Sequence, residues 1–460
     1  MNEQPRQQSI EDGQEVIERV QEMIERKEST PLLDLLRPMH PADVADLMEH
    51  LDAEEADYLF SLLDHASASE VLAEMDEHTR ERLVAEIGAE KLARIVDRME
   101  SNDAAEVVAK LSDELAERVL ESIGEEDSED VKELLGHEED TAGRLMAMEI
   151  VSVHEDATVA QAIAAIRRAA DQIGEFYNVY VVDSGGRLKG VLPLARLLRS
   201  PSDRRVADVM ERDVVRVPEG MDQEDVAHVV QKYDLVSVPV VDEMDRLVGR
   251  ITIDDIVDVV VEEASEDIRR MAGTGDEAIR EDSAFRVAGV RLPWILISLI
   301  GGVLSGSVIG AFRGTLSSFL PLAIFIPIIT AMGGNIGIQS ASLTVRGLAM
   351  GEIGAYEIWK RLFRELRVGI VMGLVCGGSV GLIALFWESN AALGIVVGVA
   401  MASAITVAAT MGTFVPVVFK KLGIDPAIAT GPFVTMSNDV IGLIIYFGIA
   451  TAMRDWLVKP

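Results

Sequence analysis

Asp439 is the one residue charged at neutral pH in TMSNDVIGLIIYF, Thr435 to Phe447, a run that otherwise reads as lipid-soluble. Even lenient scales charge roughly 2.5 to 3.5 kcal/mol for a carboxylate at mid-membrane, so such residues face a cavity and bind an ion or relay a proton. No basic residue shares its depth in that run, which favours cation binding over structural pairing. Neutral oxygen is available from Asn438 and from Asn335, which sits among Gly333, Gly334 and Gly337 in MGGNIGIQSASLTVRG. One carboxylate with amide and carbonyl oxygen suits a hard cation. Pro321 and Pro327 near Asn335, and Gly431-Pro432 ahead of Asp439, predict interrupted helices whose freed carbonyls line a wet path. Taken alone the glycines favour close helix packing; the carboxylate tips the reading towards permeation.

A second set of acids lies outside the apolar runs. Asp255 and Asp258 are three apart, and Glu263, Glu266 and Asp267 are three and four apart, so each set projects from one helix face. Two such helices brought together repel unless divalent ions intervene. Metal binding that favours one spacing would then shift the population towards it. The competing reading is a solvated acidic face, and ten Lys against 32 Arg also fits a salt-adapted surface. The charge is confined to one part of the chain. Residues 1–283 hold 70 acids against 30 bases, a formal −40, and residues 284–460 hold 7 against 12, or +5, giving the total of −35. A −40 portion repels nucleic acid and attracts cations.

These residues need elements to hold them. Leu51, Leu63, Met75, Ile87, Met99, Leu111 and Ile123 recur every twelve residues, each with an apolar pair three and four positions earlier, from Leu47/Met48 to Val119/Leu120. That is one face of a short helix, and the next residues, Asp52, Asp64, Asp76, Gly88, Glu100, Ser112 and Gly124, are mostly cap or turn formers. The pattern predicts a helical solenoid from about Thr30 to Leu135. A second repeat has a period of 59: VYVVDSGGRLKGVLPLARLL from Val179 matches VPVVDEMDRLVGRITIDDIV from Val238, each copy strand, turn, strand, helix. Preceded in each copy by another strand and helix, it resembles tandem CBS domains, which implies nucleotide or ion sensing more than catalysis.

An acidic helix from Ile256 to Ser283, with Gly273 and Gly275 near its end, leads into the apolar part. Five runs are long enough to span a bilayer: Leu292 to Phe312, Phe319 to Leu348, Val368 to Trp387, Ala391 to Phe419 and Ile428 to Ala452. Lys and Arg concentrate on the side of the N-terminal region, which predicts a cytoplasmic N-terminus and a C-terminus outside. The single cysteine, Cys376, lies in an apolar run, so no intrachain disulfide forms and the soluble part reads as cytoplasmic. The first 30 residues lack the apolar core of a signal peptide. The expected class is a multi-domain membrane protein. It comprises an all-α helical-repeat domain at 1–136, an α/β CBS pair at 137–200 and 201–260, a linker helix at 254–283 and a five-helix transmembrane domain at 284–460.

That order, together with GGNIGIQSASLTVRGLA and DPAIATGPFVTMSNDVIGLIIYF, resembles the MgtE family of magnesium channels and transporters over nearly the full chain. The resemblance implies a multi-pass homodimer in the cell (inner) membrane, surrounded by lipid, with one ion path between subunits built from spans two and five. It places hydrated Mg²⁺ at Asp439, with Asn335 nearby. It also implies closure by cytosolic Mg²⁺ at acidic sites. In the second CBS copy these fall on Asp222, Glu224, Asp234 and the carbonyl of Gln231. On the linker they fall on Asp255, Asp258, Glu263, Glu266 and Asp267, in the loop before span five on Asp425, and in the N domain on Asp103 and Glu106. The family pattern GGN-x-G-N-Q has asparagine where this chain has Ile338, and a related member has asparagine in place of Gly431, departures that bear on selectivity among divalent ions. Thr252 and Asp255 form a TxxD arrangement used for ribose and phosphate, so the CBS pair is also a candidate ATP site. The sequence holds no Walker loop and no paired catalytic His and Cys, so the protein reads as no enzyme. Two other readings stay open: a CBS-regulated anion channel, and a membrane metal sensor that transports nothing.

Overall fold

The computed structural model describes residues 4–169, 176–272, 283–349 and 357–458. Glycines 273 and 275, expected to end the linker helix, and the last basic residue, Lys459, lie outside the described residues. The chain divides into two compact units, Met1–Val259 and Val260–Pro460.

In the first unit the twelve-residue spacing becomes short helices, and every one of the seven turn positions is the N-cap of the helix that follows. Asp52 makes a full capping box: its carboxylate accepts from the Glu55 amide at 2.9 Å and Glu55 accepts from the Asp52 amide at 3.1 Å. Asp64 accepts from the amides of Ala66 and Ser67, both at 3.0 Å, and Asp76 from those of His78 and Thr79. The apolar triplets form the core, with Leu47, Met48, Leu59, Phe60, Val71, Leu72, Ile95 and Val107 all buried. Alternate helices pack together, Pro41–Glu49 on His65–Ala73, then Ala89–Val96, then Asp113–Leu120, which is the layout of a solenoid. A helix ahead of the repeat, Gln4–Glu25, adds Val20 to the same core.

The 59-residue repeat gives two three-stranded sheets of identical topology. Strands β1 (Ser152–His154), β2 (Asn178–Val182) and β3 (Leu188–Pro193) run parallel then antiparallel, as do β4 (Val217–Pro218), β5 (Ser237–Val241) and β6 (Leu247–Thr252). Even the register shifts correspond, at Val181/Val182 and at Val240/Val241. The copies meet through Asn178 and Tyr180, whose side chains both lie 3.2 Å from the Ser237 hydroxyl.

Among its described residues the second unit contains five helices long and apolar enough to cross a membrane. They are Ala284–Ala311, Leu322–Ala349, Glu357–Glu388, Ala391–Lys421 and Pro432–Ala452, the first to fifth spans below. The first and third begin well before their apolar runs, because the basic residues Arg286, Arg291, Lys360, Arg361 and Arg364 continue the helix rather than end it. The expected interruption of the second span is absent: the helix runs unbroken through Pro327 and Gly333–Gly337. An interior proline removes one hydrogen bond and crowds the carbonyl four residues before it, yet the helix continues through Pro327, and the glycines here serve close packing instead of freeing carbonyls. A Cβ on Gly337 would sit 1.9 Å from Asn438 Nδ2 and 2.9 Å from Val434. The break before the fifth span is present. A 3₁₀ turn, Pro426–Thr430, ends at Gly431, whose φ −79°, ψ −118° starts a new helix with Pro432 at its first position.

Glycines also join the third and fourth spans. A Cβ on Gly377 would meet the Gly398 carbonyl at 2.4 Å, and one on Gly381 would meet the Gly394 carbonyl at 2.7 Å. Gly378, one residue on, faces open space. Gly377→Ala is therefore expected to destabilise the membrane unit by about 1–3 kcal/mol, with Gly378→Ala neutral, as measured by thermal unfolding in detergent.

Candidate cation site and acidic clusters

Asp439 lies two turns inside the regular helix of the fifth span, half-buried. Among the described residues it has neither hydrogen bond nor ion pair. Its neighbour Asn438 is buried against the second span, where Nδ2 donates to the Gly333 carbonyl at 3.3 Å over the space left by Gly337. The Asn438 amide therefore holds two spans together, and its buried Oδ1 has no partner among the described residues. Asn335 takes the other side of the second span. With Ile338, Gln339 and Ser342 it makes an i, i+3, i+4, i+7 stripe turned away from the packed face, and Asn335, Ile338 and Gln339 are exposed. The second span thus presents amide oxygens on an unpacked face, although its backbone carbonyls are not freed.

In the first unit the acids near the second CBS copy are crowded. Asp255 begins the helix Ile253–Ala272 and has both oxygens engaged: one accepts from the Thr252 amide at 3.0 Å and hydroxyl at 2.5 Å, the other from Asn102 Nδ2 at 2.9 Å. Asp103 is pushed up to about 8, first by burial and then by the negative charges of Asp255, Glu100 and Glu106. Glu100 is pushed up to about 7, first by burial; Arg250 opposes this, and Glu149, Asp255 and Asp254 add to it. Asp103, Asp255, Asp258, Arg250 and Glu100 line one open cleft of about 750 Å³. Glu106 is paired to Arg80. In the sequence Glu100 reads as a turn former, and Arg250 and Arg80 carry no local signal; sign alternation at the cleft emerges only once residues 150 positions apart are brought together.

The other CBS residues are spread out. Asp222 is the N-cap of Gln223–Tyr233, accepting from the Glu224 amide at 2.9 Å, while Asp234 is its left-handed C-cap with φ 52°. The helix rise puts them about 18 Å apart, so within one chain they cannot share an ion. Asp222, Gln231 and Asp234 are exposed.

In the second unit Glu263, Glu266, Asp267 and Arg270 share a face of the linker helix at i, i+3, i+4 and i+7. Arg270 bridges Glu266 and Asp425. Asp425 also caps the 3₁₀ turn, accepting from the Ala427 amide at 2.7 Å. Asp267 is pushed up to about 6, by burial first and then by Asp425 and Glu263, against the pull of Arg270. Among the described residues no three His, Cys, Asp or Glu side chains converge closely enough to hold a metal ion by themselves.

The chain matches the MgtE intracellular N domain at residues 39–140, CBS domains at 142–203 and 206–262, and the MgtE divalent cation transporter family at 326–449. It is 37% identical over 313 residues to the magnesium transporter MgtE of Bacillus subtilis, covering 68% of this chain and 69% of that one. To the magnesium transporter MgtE of Enterococcus faecalis it is 38% identical over 320 residues, 70% of each. The solved cytosolic domain of the Mg²⁺ channel MgtE in complex with ATP superposes with TM-score 0.50 at 34% identity, covering 52% of this chain and 98% of that domain. With helical repeat, CBS pair and membrane unit each matched in order, the chain belongs to the MgtE family of magnesium transporters.

Proposed function

We propose that two copies of this chain pass hydrated Mg²⁺ across the cell membrane between their second and fifth spans, with the N-terminus cytoplasmic, and that cytosolic Mg²⁺ closes the path. The observation that carries the reading is Asp439, a half-buried carboxylate in a membrane helix without a protein partner among the described residues. A second copy would offer a second carboxylate, and two negative charges suit one divalent ion. The exposed stripe of Asn335 and Gln339 supports this placement, because amides turned towards lipid are costly unless another subunit or water covers them. An anion path would instead want basic or donor-rich residues at this depth. Transport itself is carried by spans and soluble regulatory domains, with no role for bond chemistry.

For closure, the crowding of Asp103, Glu100 and Asp255 supports Mg²⁺ as a counter-ion, since ionised carboxylates brought together need positive charge. Glu106, Asp258, Glu263, Glu266 and Asp267 add negative charge on the same helices, and Asp222, Gln231 and Asp234 lie on exposed surface open to a second copy, with Glu224 partly buried beside Asp222. Arg270 is a tethered rival: it neutralises Glu266 and Asp425, and Mg²⁺ reaches those oxygens by displacing it. ATP binding at the CBS pair is supported by the ATP complex of the related cytosolic domain. The Thr252–Asp255 pair is the feature here that suits a ribose.

Three measurements test this. Purified protein in liposomes with low internal Mg²⁺ should admit Mg²⁺, and Asp439→Ala should abolish that flux while the dimer persists on size-exclusion chromatography; unaltered flux would remove Asp439 from the path. Neutralising Asp255, Asp258, Glu263 and Glu266 together should leave conduction and weaken closure, read as lost Mg²⁺ protection of the linker from protease. Arg270→Gln should shift half-inhibition by internal Mg²⁺ about three- to tenfold lower, because an arginine no longer competes.

A further inference from the structure

Glu365 in the third span is only 5% exposed and is not needed by the cation path as described above. Its Oε2 accepts from the Ser340 hydroxyl at 3.0 Å, and among the described residues it has no ion pair. Arg361, Arg364 and Arg367 stand on the same helix, yet Arg361 donates instead to the Leu343 carbonyl at 2.8 Å and Arg367 to the Phe363 carbonyl at 3.3 Å. A buried carboxylate that accepts one hydroxyl is a costly way to fasten two membrane helices.

Ser340 gives that bond its purpose. It lies on the packed face of the second span, in line with Gly333, Gly337 and Thr344, and opposite the stripe that carries Asn335 and Gln339. Along that line Asn438 of the fifth span holds Gly333, and Gly412 of the fourth crosses so tightly that a Cβ there would meet the Gly337 carbonyl at 2.4 Å. Thr413 of the fourth span meets Thr344 at 3.3 Å, and Lys420 reaches the Leu348 carbonyl at 3.2 Å. These bonds tie the second span to the fourth and fifth, and Arg361 ties it to the third through the Leu343 carbonyl. The Glu365–Ser340 bond adds a tie from the third span to a side chain on the packed face itself. A rotation by one residue, about 100°, would carry Ser340 away from Glu365 and move Asn335 and Gln339 with it.

We infer that Glu365 is a positioning residue that fixes, through Ser340, the rotational setting of the second span and so the direction in which its amide stripe faces. The inference rests on the reading that this stripe borders the path. The test uses the full-length protein in liposomes, with Mg²⁺ flux and Co²⁺ flux measured per folded dimer. Glu365→Ala and Ser340→Ala should each lower maximal Mg²⁺ flux about tenfold or more and change the Mg²⁺ to Co²⁺ flux ratio. Glu365→Gln keeps an acceptor of the same length and should stay within about threefold of the native protein. If Glu365→Gln fails as fully as Glu365→Ala, the charge itself is required and the positioning role falls. Loss of thermal stability with flux per dimer and ion ratio unchanged would also overturn it. Should Glu365→Ala not assemble, Ser340→Ala and Glu365→Gln decide the matter alone. Native protein that admits no Mg²⁺ would instead sink the transport reading, which separates the two failures.

Discussion

A carboxylate that is buried or crowded in this protein demands something positive, or a strong donor, to stand against it. In the first unit Arg250 faces Glu100 and Arg80 faces Glu106, yet Asp103 and Glu100 are still pushed well above the usual carboxylate range. In the second unit Arg270 serves Glu266 and Asp425. The fixed cations are too few for the acids around them, so the electrostatic balance of the soluble part depends on what the solution supplies. A divalent ion is the efficient supply, since one particle neutralises two charges.

The membrane unit meets the same constraint with far fewer charges, 7 acids and 12 bases in residues 284–460. Its helices approach through glycine and alanine; some polar side chains bond back to their own helix, as Thr406 does to Ala402, and others bind one helix to another: Asn438 to Gly333, Ser340 to Glu365, Thr344 to Thr413. Asp439 does neither among the described residues. Neighbouring residues in sequence thus do opposite things, Asn438 closing a helix contact and Asp439 leaving an acid without a partner among the described residues.

Much of this was legible before any coordinates. The twelve-residue spacing located each N-cap from Asp52 to Gly124, because a helix start is a local event set by side chains two or three residues away. The 59-residue repeat anticipated matching sheets down to a shared register shift. Asp439 stood out from composition alone. Less legible was anything decided by residues distant in sequence. Gly333–Gly337 looked like a broken helix and proved to be a packing surface, since only the approach of Asn438 and Gly412 distinguishes the two. Glu365 was hidden among Arg361, Arg364 and Arg367, where it reads as a solvated charge until Ser340 is seen beside it. Arg250 and Glu100 are 150 positions apart, and no local pattern joins them.

The glycine seam between the third and fourth spans has a bearing on how the protein is built. The two helices are joined by a tight turn at Ser389, with φ 51°, and Asn390, whose side chain caps the fourth span by accepting from the Leu393 amide at 3.0 Å. Their contacts are local in sequence, need little loop closure and immobilise few rotamers, because glycine has none. The pair can therefore settle as a hairpin as soon as the fourth span has entered the bilayer, ahead of the fifth. Asn438, and the acid next to it, arrive last, onto a platform already formed.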